Sequence, residues 1–160
     1  MARTLRNKST SCTKTNKWNL NLNERNNCRS RNLGSSLAQK ISDLGHQVTI
    51  IEKNFGAASS LPRGRVNSGL LKVIHRDGST ASAMIEADIT NADVFIAATG
   101  KDSLNGLTAQ KAKIIFGIEQ VMTVVKDPDA KNLYDSLGIT TINQAALVSN
   151  QLTEFVTQES

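Results

Sequence analysis

Chemistry in this chain concentrates where a glycine, an acid and a few small polar residues recur at strand ends. Gly34 opens the run Leu33-Gly34-Ser35-Ser36-Leu37-Ala38, which reads as the end of a glycine loop entering a helix. Such a loop binds phosphate because backbone N–H groups and the helix dipole converge on one point, and glycine allows close approach. About twenty residues on, the β-branched run Val48-Thr49-Ile50-Ile51 ends on Glu52, where an acid can accept hydrogen bonds from a ribose diol. Asp77-Gly78-Ser79 and Ala98-Thr99-Gly100 add polar groups at the ends of two further strand-like runs. Ligands of open α/β sheets sit at that carboxyl edge.

Catalytic partners are scarce. His75 stands near the same edge among strand residues and has no evident partner in sequence, and His46 follows Gly45 at a helix end, where it can satisfy carbonyls. Cys12 and Cys28 have neither CxxC spacing nor a nearby histidine, so no metal site is expected. Catalysis is disfavoured.

The elements that must position these residues alternate between strand and helix, the pattern of βαβ units around a parallel sheet. A helix is expected from Gly34 to Leu44, with Leu37, Ile41 and Leu44 on one face and Gly45 as its stop. Strands are expected at 47–53, 70–74, 93–98, 120–125 and 140–142. Helices are expected at 81–87, 103–116, 129–137 and 144–155. In the helix from Ser103 to Phe116, Leu107, Ile114 and Ile115 should face the sheet. The fold class is therefore α/β, a Rossmann-like doubly wound parallel sheet of six strands, with its first strand missing or poorly formed.

That defect lies in the first 32 residues. They carry a net charge of +7, while the remainder carries −2, so the overall +5 belongs to the tail and a nucleic-acid surface is not expected. Trp18, Leu20 and Leu22 are almost its only large apolar groups, and such a segment is expected to be disordered. Residues 33–157 are then expected to form a single Rossmann-like nucleotide-binding domain. The first two glycine positions of Gly-x-Gly-x-x-Gly fall on Arg29 and Arg31. Losing a mid-sheet strand would expose both neighbouring edges and leave a marginal protein, unless the tail supplies a substitute. No run is apolar and long enough for a membrane span or secretory signal, so a cytoplasmic location is expected.

The stretches LGSSLAQKISDLGHQVTIIEKN (33–54), RDGS (76–79), ADVFIAATGKDSLN (92–105), AQKAKIIFGIEQV (109–121) and KDPDAKNLYDSLGI (126–139) resemble the N-terminal nucleotide-binding domain of TrkA/KtrA-type potassium-uptake regulators, also called KTN or RCK. The resemblance implies a Rossmann domain that binds NAD(H) or ATP/ADP without catalysis. It also implies reporting to a membrane potassium transporter subunit from a homodimer or ring, at the inner face of the cell membrane. It assigns Gly34 as the last loop glycine, Glu52 as the ribose acid, Asn54 as the polar group beyond it, and Asp77 as a ribose contact. Thr99 and Asn105 fall at the fourth-strand edge, and Lys53 and Gly100 complete the cofactor-binding set. Arg76, Asn32 and Val124 depart from the family pattern. The final helix from Gln144 is the expected dimer or transporter contact. A small NAD(P)-dependent oxidoreductase and a non-binding degenerate remnant are the alternatives.

The genetic code offers an account of the defect. Written in degenerate codons and read one nucleotide later, Asn23 to Arg31 permit Met-Lys-Glu-Ile-Ile-Val-Val-Val-Gly, a buried strand and a loop glycine. Residues 1–31 would then be out-of-frame or upstream translation, with the frame restored near Asn32. A transit peptide or a basic arm for anionic lipid or RNA are competing readings of the tail.

Overall fold

A computed structural model describes residues 17–21, 31–54 and 63–158. Six strands form one parallel sheet: β1 Lys17–Asn21, β2 Gln47–Ile51, β3 Leu71–Ile74, β4 Val94–Ala97, β5 Gln120–Val125 and β6 Thr140–Asn143. Their order is β3-β2-β1-β4-β5-β6, the doubly wound arrangement. The helices are α1 Arg31–Asp43, α2 Arg63–Asn67, α3 Ala81–Glu86, α4 Asp102–Gln110, α5 Ala130–Ser136 and α6 Gln144–Gln158. Among the described residues no helix is long and apolar enough to cross a membrane.

The expectation of a missing first strand is corrected. Lys17–Asn21 sits at the centre of the sheet, with Trp18 opposite Val48 and Val94, and Leu20 opposite Ile50 and Ile96. The tail does supply the substitute strand. Two open central edges offer backbone donors and acceptors on both sides, and Trp18 and Leu20, spaced by two, place apolar groups on one face. The start of β1 is pinned by the Lys17 N–H donating to Asp93 Oδ2 at 2.7 Å and the Asp93 N–H donating to the Lys17 carbonyl at 2.9 Å. Disorder across residues 1–32 is corrected to the same extent, since β1 and the first residues of α1 fall within that range. Residues 1–16 and 22–30 lie outside the described residues.

Two apolar layers flank the sheet. Leu20, Val48, Ile50, Val94 and Ile96 pack against Ala38 and Ile41 of α1. On the other face Phe95, Ala97, Ile51 and Val121 meet Ala83 and Met84 of α3, Ala109 of α4 and Tyr134 of α5. Every residue of β4 is buried, as a strand covered on both faces requires.

Some expected orientations are also corrected. Leu107, Ile114 and Ile115 point away from the sheet and are exposed. The face that α4 buries is built instead from Asn105, Gly106, Thr108 and Ala109, small enough to bring the helix close. A side chain at Gly106 would overlap the Tyr134 ring. Lys111–Ile115 then continues α4 as a π-helical turn, which rotates the later residues out of the expected register. Helix α1 begins at Arg31 rather than Gly34, and Leu44 is exposed because the chain has already left the helix for the turn at Gly45, whose φ is +85°. His75 follows β3 rather than lying within it.

The borrowed strand fits imperfectly. Asn19 is buried in register with Thr49 and Phe95, and its Oδ1 has no hydrogen-bond partner among the described residues. The buried Trp18 Nε1 is in the same position, with the indole tilted against the His46 ring at 6.0 Å. A cavity of about 180 Å³ at the amino end of the strands is lined by Lys17, Asn19, Thr49 and Asp88 among others. A buried unpaired polar group costs about 1–3 kcal/mol. Asn19→Val should therefore raise the melting temperature by a few degrees in a calorimetric scan, with the circular dichroism of the folded state unchanged.

Candidate nucleotide-binding site

The carboxyl ends of β2, β3 and β4 converge on a cleft of about 420 Å³ lined by Lys53, Asp77, Ser79, Lys101, Ser103, Leu104 and Leu107. Its lower wall is the turn after β3. Asp77 Oδ1 accepts from the Ser79 N–H at 3.0 Å and from Ser79 Oγ at 2.7 Å, while its backbone carbonyl accepts from the Thr80 N–H and hydroxyl. Thr80 in turn caps α3 by accepting from the Ala83 N–H. Asp, Gly, Ser and Thr in succession thus fold locally into a turn that ends in a helix start. Lys53 Nζ reaches Asp77 Oδ2 at 3.1 Å across the cleft floor.

These contacts fix the charge of Asp77. The Ser79 hydroxyl hydrogen bond, aided by the Ser79 N–H and Lys53 and opposed by partial burial, lowers the Asp77 pKa from the ordinary 3.8 to about 2.

Glu52 follows the last residue of β2 and is only 2% exposed. Its Oε1 accepts from the Asn54 N–H at 2.6 Å, which orients the carboxylate at the strand end. Asn54 therefore acts through its backbone on the acid beside it.

Thr99 and Asn105 hold each other. Asn105 Oδ1 accepts from both the Thr99 N–H and the Thr99 hydroxyl at 2.6 Å, and Asn105 Nδ2 donates to the Val124 carbonyl at 2.7 Å. Both residues are buried, so the pair ties the end of β4 to α4 and β5 instead of facing the cleft. Gly100, with φ +75°, makes the turn between them, and its carbonyl accepts from Lys126 Nζ at 2.9 Å.

Of the eight residues expected to bind cofactor, Lys53 and Asp77 line this cleft. Glu52 and Asn54 sit at its β2 side, Thr99, Gly100 and Asn105 form the scaffold behind its upper wall, and Gly34 is buried in the first turn of α1. Lys101 and Ser103, at the start of α4, were not singled out from sequence, although both fall within the stretch ADVFIAATGKDSLN. Lys111 is a further addition: its Nζ donates to the Ser79 carbonyl at 2.6 Å, joining α4 to the lower wall. Among the described residues no cluster of His, Cys, Asp or Glu could hold a metal ion.

With an acid at the end of β2, a second acid after β3 and a glycine turn after β4, the cleft carries the layout of a nucleotide-binding Rossmann edge. Residues 31–144 match the TrkA-N domain. The chain belongs to the TrkA-N family. It is 30% identical over 123 residues to the Trk system potassium uptake protein TrkA of Streptomyces coelicolor, covering 75% of this chain and 52% of that protein. It is 33% identical over 107 residues to a TrkA homolog of Methanothermobacter thermautotrophicus, covering 67% and 47%. The chain thus spans about half the length of these relatives.

Among solved structures, the NAD(P)-binding domain of an exopolyphosphatase-related protein from Archaeoglobus fulgidus has a TM-score of 0.68 at 12% identity, covering 89% of this chain and 98% of that one. The AMP-bound C-terminal domain of Shewanella denitrificans Kef gives 0.64 at 13% identity, covering 91% and 83%. The GsuK channel bound to NAD gives 0.55 at 15% identity, covering 82% and 22%. These likenesses establish the Rossmann fold of the TrkA-N domain.

The lowered Asp77 pKa has a pH consequence. A carboxylate with a depressed folded-state pKa adds stability that is fully present above its unfolded value near 3.8 and is lost as pH falls through about 2. Asp77→Asn should lower the urea midpoint at pH 5–7, and the gap from the parent chain should close between pH 4 and pH 2.

Proposed function

We propose that this TrkA-N domain binds an adenine nucleotide, NAD(H) or ATP/ADP, along the carboxyl edge of its sheet and reports the bound state to a membrane potassium transporter subunit, without catalysing a reaction. The observation that carries this reading is Glu52: a buried carboxylate, oriented by the Asn54 N–H, at the end of the second strand of a TrkA-N fold. A ribose diol offers two donors, and an acid held there accepts both. Asp77, kept ionised by Ser79 and Lys53, is suited to a second ribose or amide contact. Lys53 and Lys101 supply positive charge for phosphate, Gly34 lets α1 approach the first strand, and Thr99, Gly100 and Asn105 hold the turn after β4 in place.

Nucleotide-bound structures of the Kef domain and of the GsuK channel support an adenine nucleotide as the ligand class. The TrkA relatives support potassium uptake as the system served. A ligand shifts a conformational equilibrium only through different affinity for its states, so ATP against ADP, or NADH against NAD, would have to be read at this edge. The protein would work at the inner face of the cell membrane through its partner. Helix α6 supports an assembly of two or more chains, since Leu147, Val148, Leu152, Phe155 and Val156 are all exposed along it.

Titration calorimetry with ATP, ADP, NAD and NADH tests the reading. At least one of the four should bind, and Glu52→Gln should weaken that ligand by roughly tenfold or more. Absence of heat with all four, both in this chain and in one carrying a restored glycine loop, overturns it.

A further inference from the structure

Three observations mark β1 as an odd occupant of its position. Its neighbour β4 is buried at every residue, whereas among the described residues Asn19 of β1 enters the same interior with no partner for its Oδ1, and the buried Trp18 Nε1 has none either. In a Gly-x-Gly-x-x-Gly unit the strand runs directly into the loop, yet Asn21 and Arg31 are separated by residues 22–30. The TrkA-N match begins only at residue 31, beyond the strand that such a domain places first.

The codons of that intervening stretch permit what is lacking. An Asn codon is AAT or AAC, so one nucleotide later it begins AT or AC. With AAT, Asn23, Asn26 and Asn27 become Met, Ile and Ile, and Glu24, Arg25 and Cys28 permit Lys, Glu and Val. Every Arg codon has G in its second position. With G in the third as well, Arg29 and Arg31 both become Gly, and Ser30 as AGC becomes Ala. The shifted stretch is then Met-Lys-Glu-Ile-Ile-Val-Gly-Ala-Gly. With position 32 and the existing Leu33-Gly34 it completes Gly-x-Gly-x-x-Gly, the third glycine already in place. A single added nucleotide at codon 32, a motif position that accepts any residue, returns the reading to Leu33.

We propose that the gene carries this domain's own first strand and phosphate-binding loop one nucleotide out of frame across codons 23–31, and that Lys17–Asn21 occupies the β1 position in their stead. The ligand class of that loop is a nucleotide diphosphate, and this part rests on the function proposed above; the coding part does not. Ile-Ile-Val would present apolar side chains to both layers, and Gly-Ala-Gly would bring backbone N–H groups to the start of α1.

The nucleotide sequence gives the first test. AAT is expected at codons 26 and 27, and CGG or AGG at codons 29 and 31. AAC at 26 and 27 would place threonines in the strand, and any other Arg codon at 29 or 31 would remove a glycine; either result overturns the proposal. The second test replaces residues 23–31 of the full chain by the shifted sequence. Trp18, the sole tryptophan, should leave the sheet and its emission shift to the red, with the melting temperature rising by about 5 °C or more. ADP should bind about tenfold or more tightly than to the present chain. Unchanged Trp18 emission together with an unchanged or lower melting temperature would show Lys17–Asn21 to be the domain's own strand. If the codons and the fluorescence behave as expected while no nucleotide binds, the functional reading fails and the coding inference stands.

Discussion

A parallel sheet wound outward from its middle depends on the strand in the middle. In this chain β2 and β4 both present a full row of backbone donors and acceptors to the gap between them, and nothing on either side can satisfy those groups except a strand lying in it. Lys17–Asn21 fills the gap with five residues, pairing with β2 along its whole length and with β4 from Trp18 to Asn21. The demand is strong enough to bury an asparagine. Both apolar layers and the convergence of strand ends at the cleft follow from that one insertion.

The cleft is held by a different kind of interaction. Asn105 uses its carbonyl oxygen on Thr99 and its amide on Val124, so one buried side chain spans the ends of β4 and β5 and the first turn of α4. With every group paired, such a network rigidifies what it joins. On the facing wall Asp77 organises its own turn through Ser79 and stays charged by doing so. The two walls therefore owe their shape to side chains, while the sheet owes its shape to backbone pairing.

Much of this was legible in sequence because it rests on local chemistry. β5 and the start of α6 fall on the expected residues 120–125 and Gln144, and the Asp77 turn and Thr80 cap follow from short polar side chains beside the backbone. The position of Glu52 at the end of β2 was legible from the β-branched run that precedes it. What failed depended on tertiary demand. Lys-Trp-Asn-Leu-Asn has little strand character of its own, and only the two open edges make it one. Leu107, Ile114 and Ile115 misled because large apolar residues normally mark the inward face of a helix. Here α4 needs small residues inward to approach the sheet beside Tyr134, and a π-helical turn then displaces the rest. Thr99 and Asn105 were expected among the cofactor-binding residues from the resemblance, but their mutual pairing was invisible until their atoms were placed.

The bond from Lys111 Nζ to the Ser79 carbonyl joins the cleft to the outside of the domain. Lys111 opens the same π-helical turn that carries Ile114 and Ile115 into solvent, and Ser79 is the residue that holds the Asp77 carboxylate. The carboxylate of the cleft and the exposed isoleucines therefore lie on one hydrogen-bonded path, from Asp77 through Ser79 to Lys111 and the π-helical turn it opens.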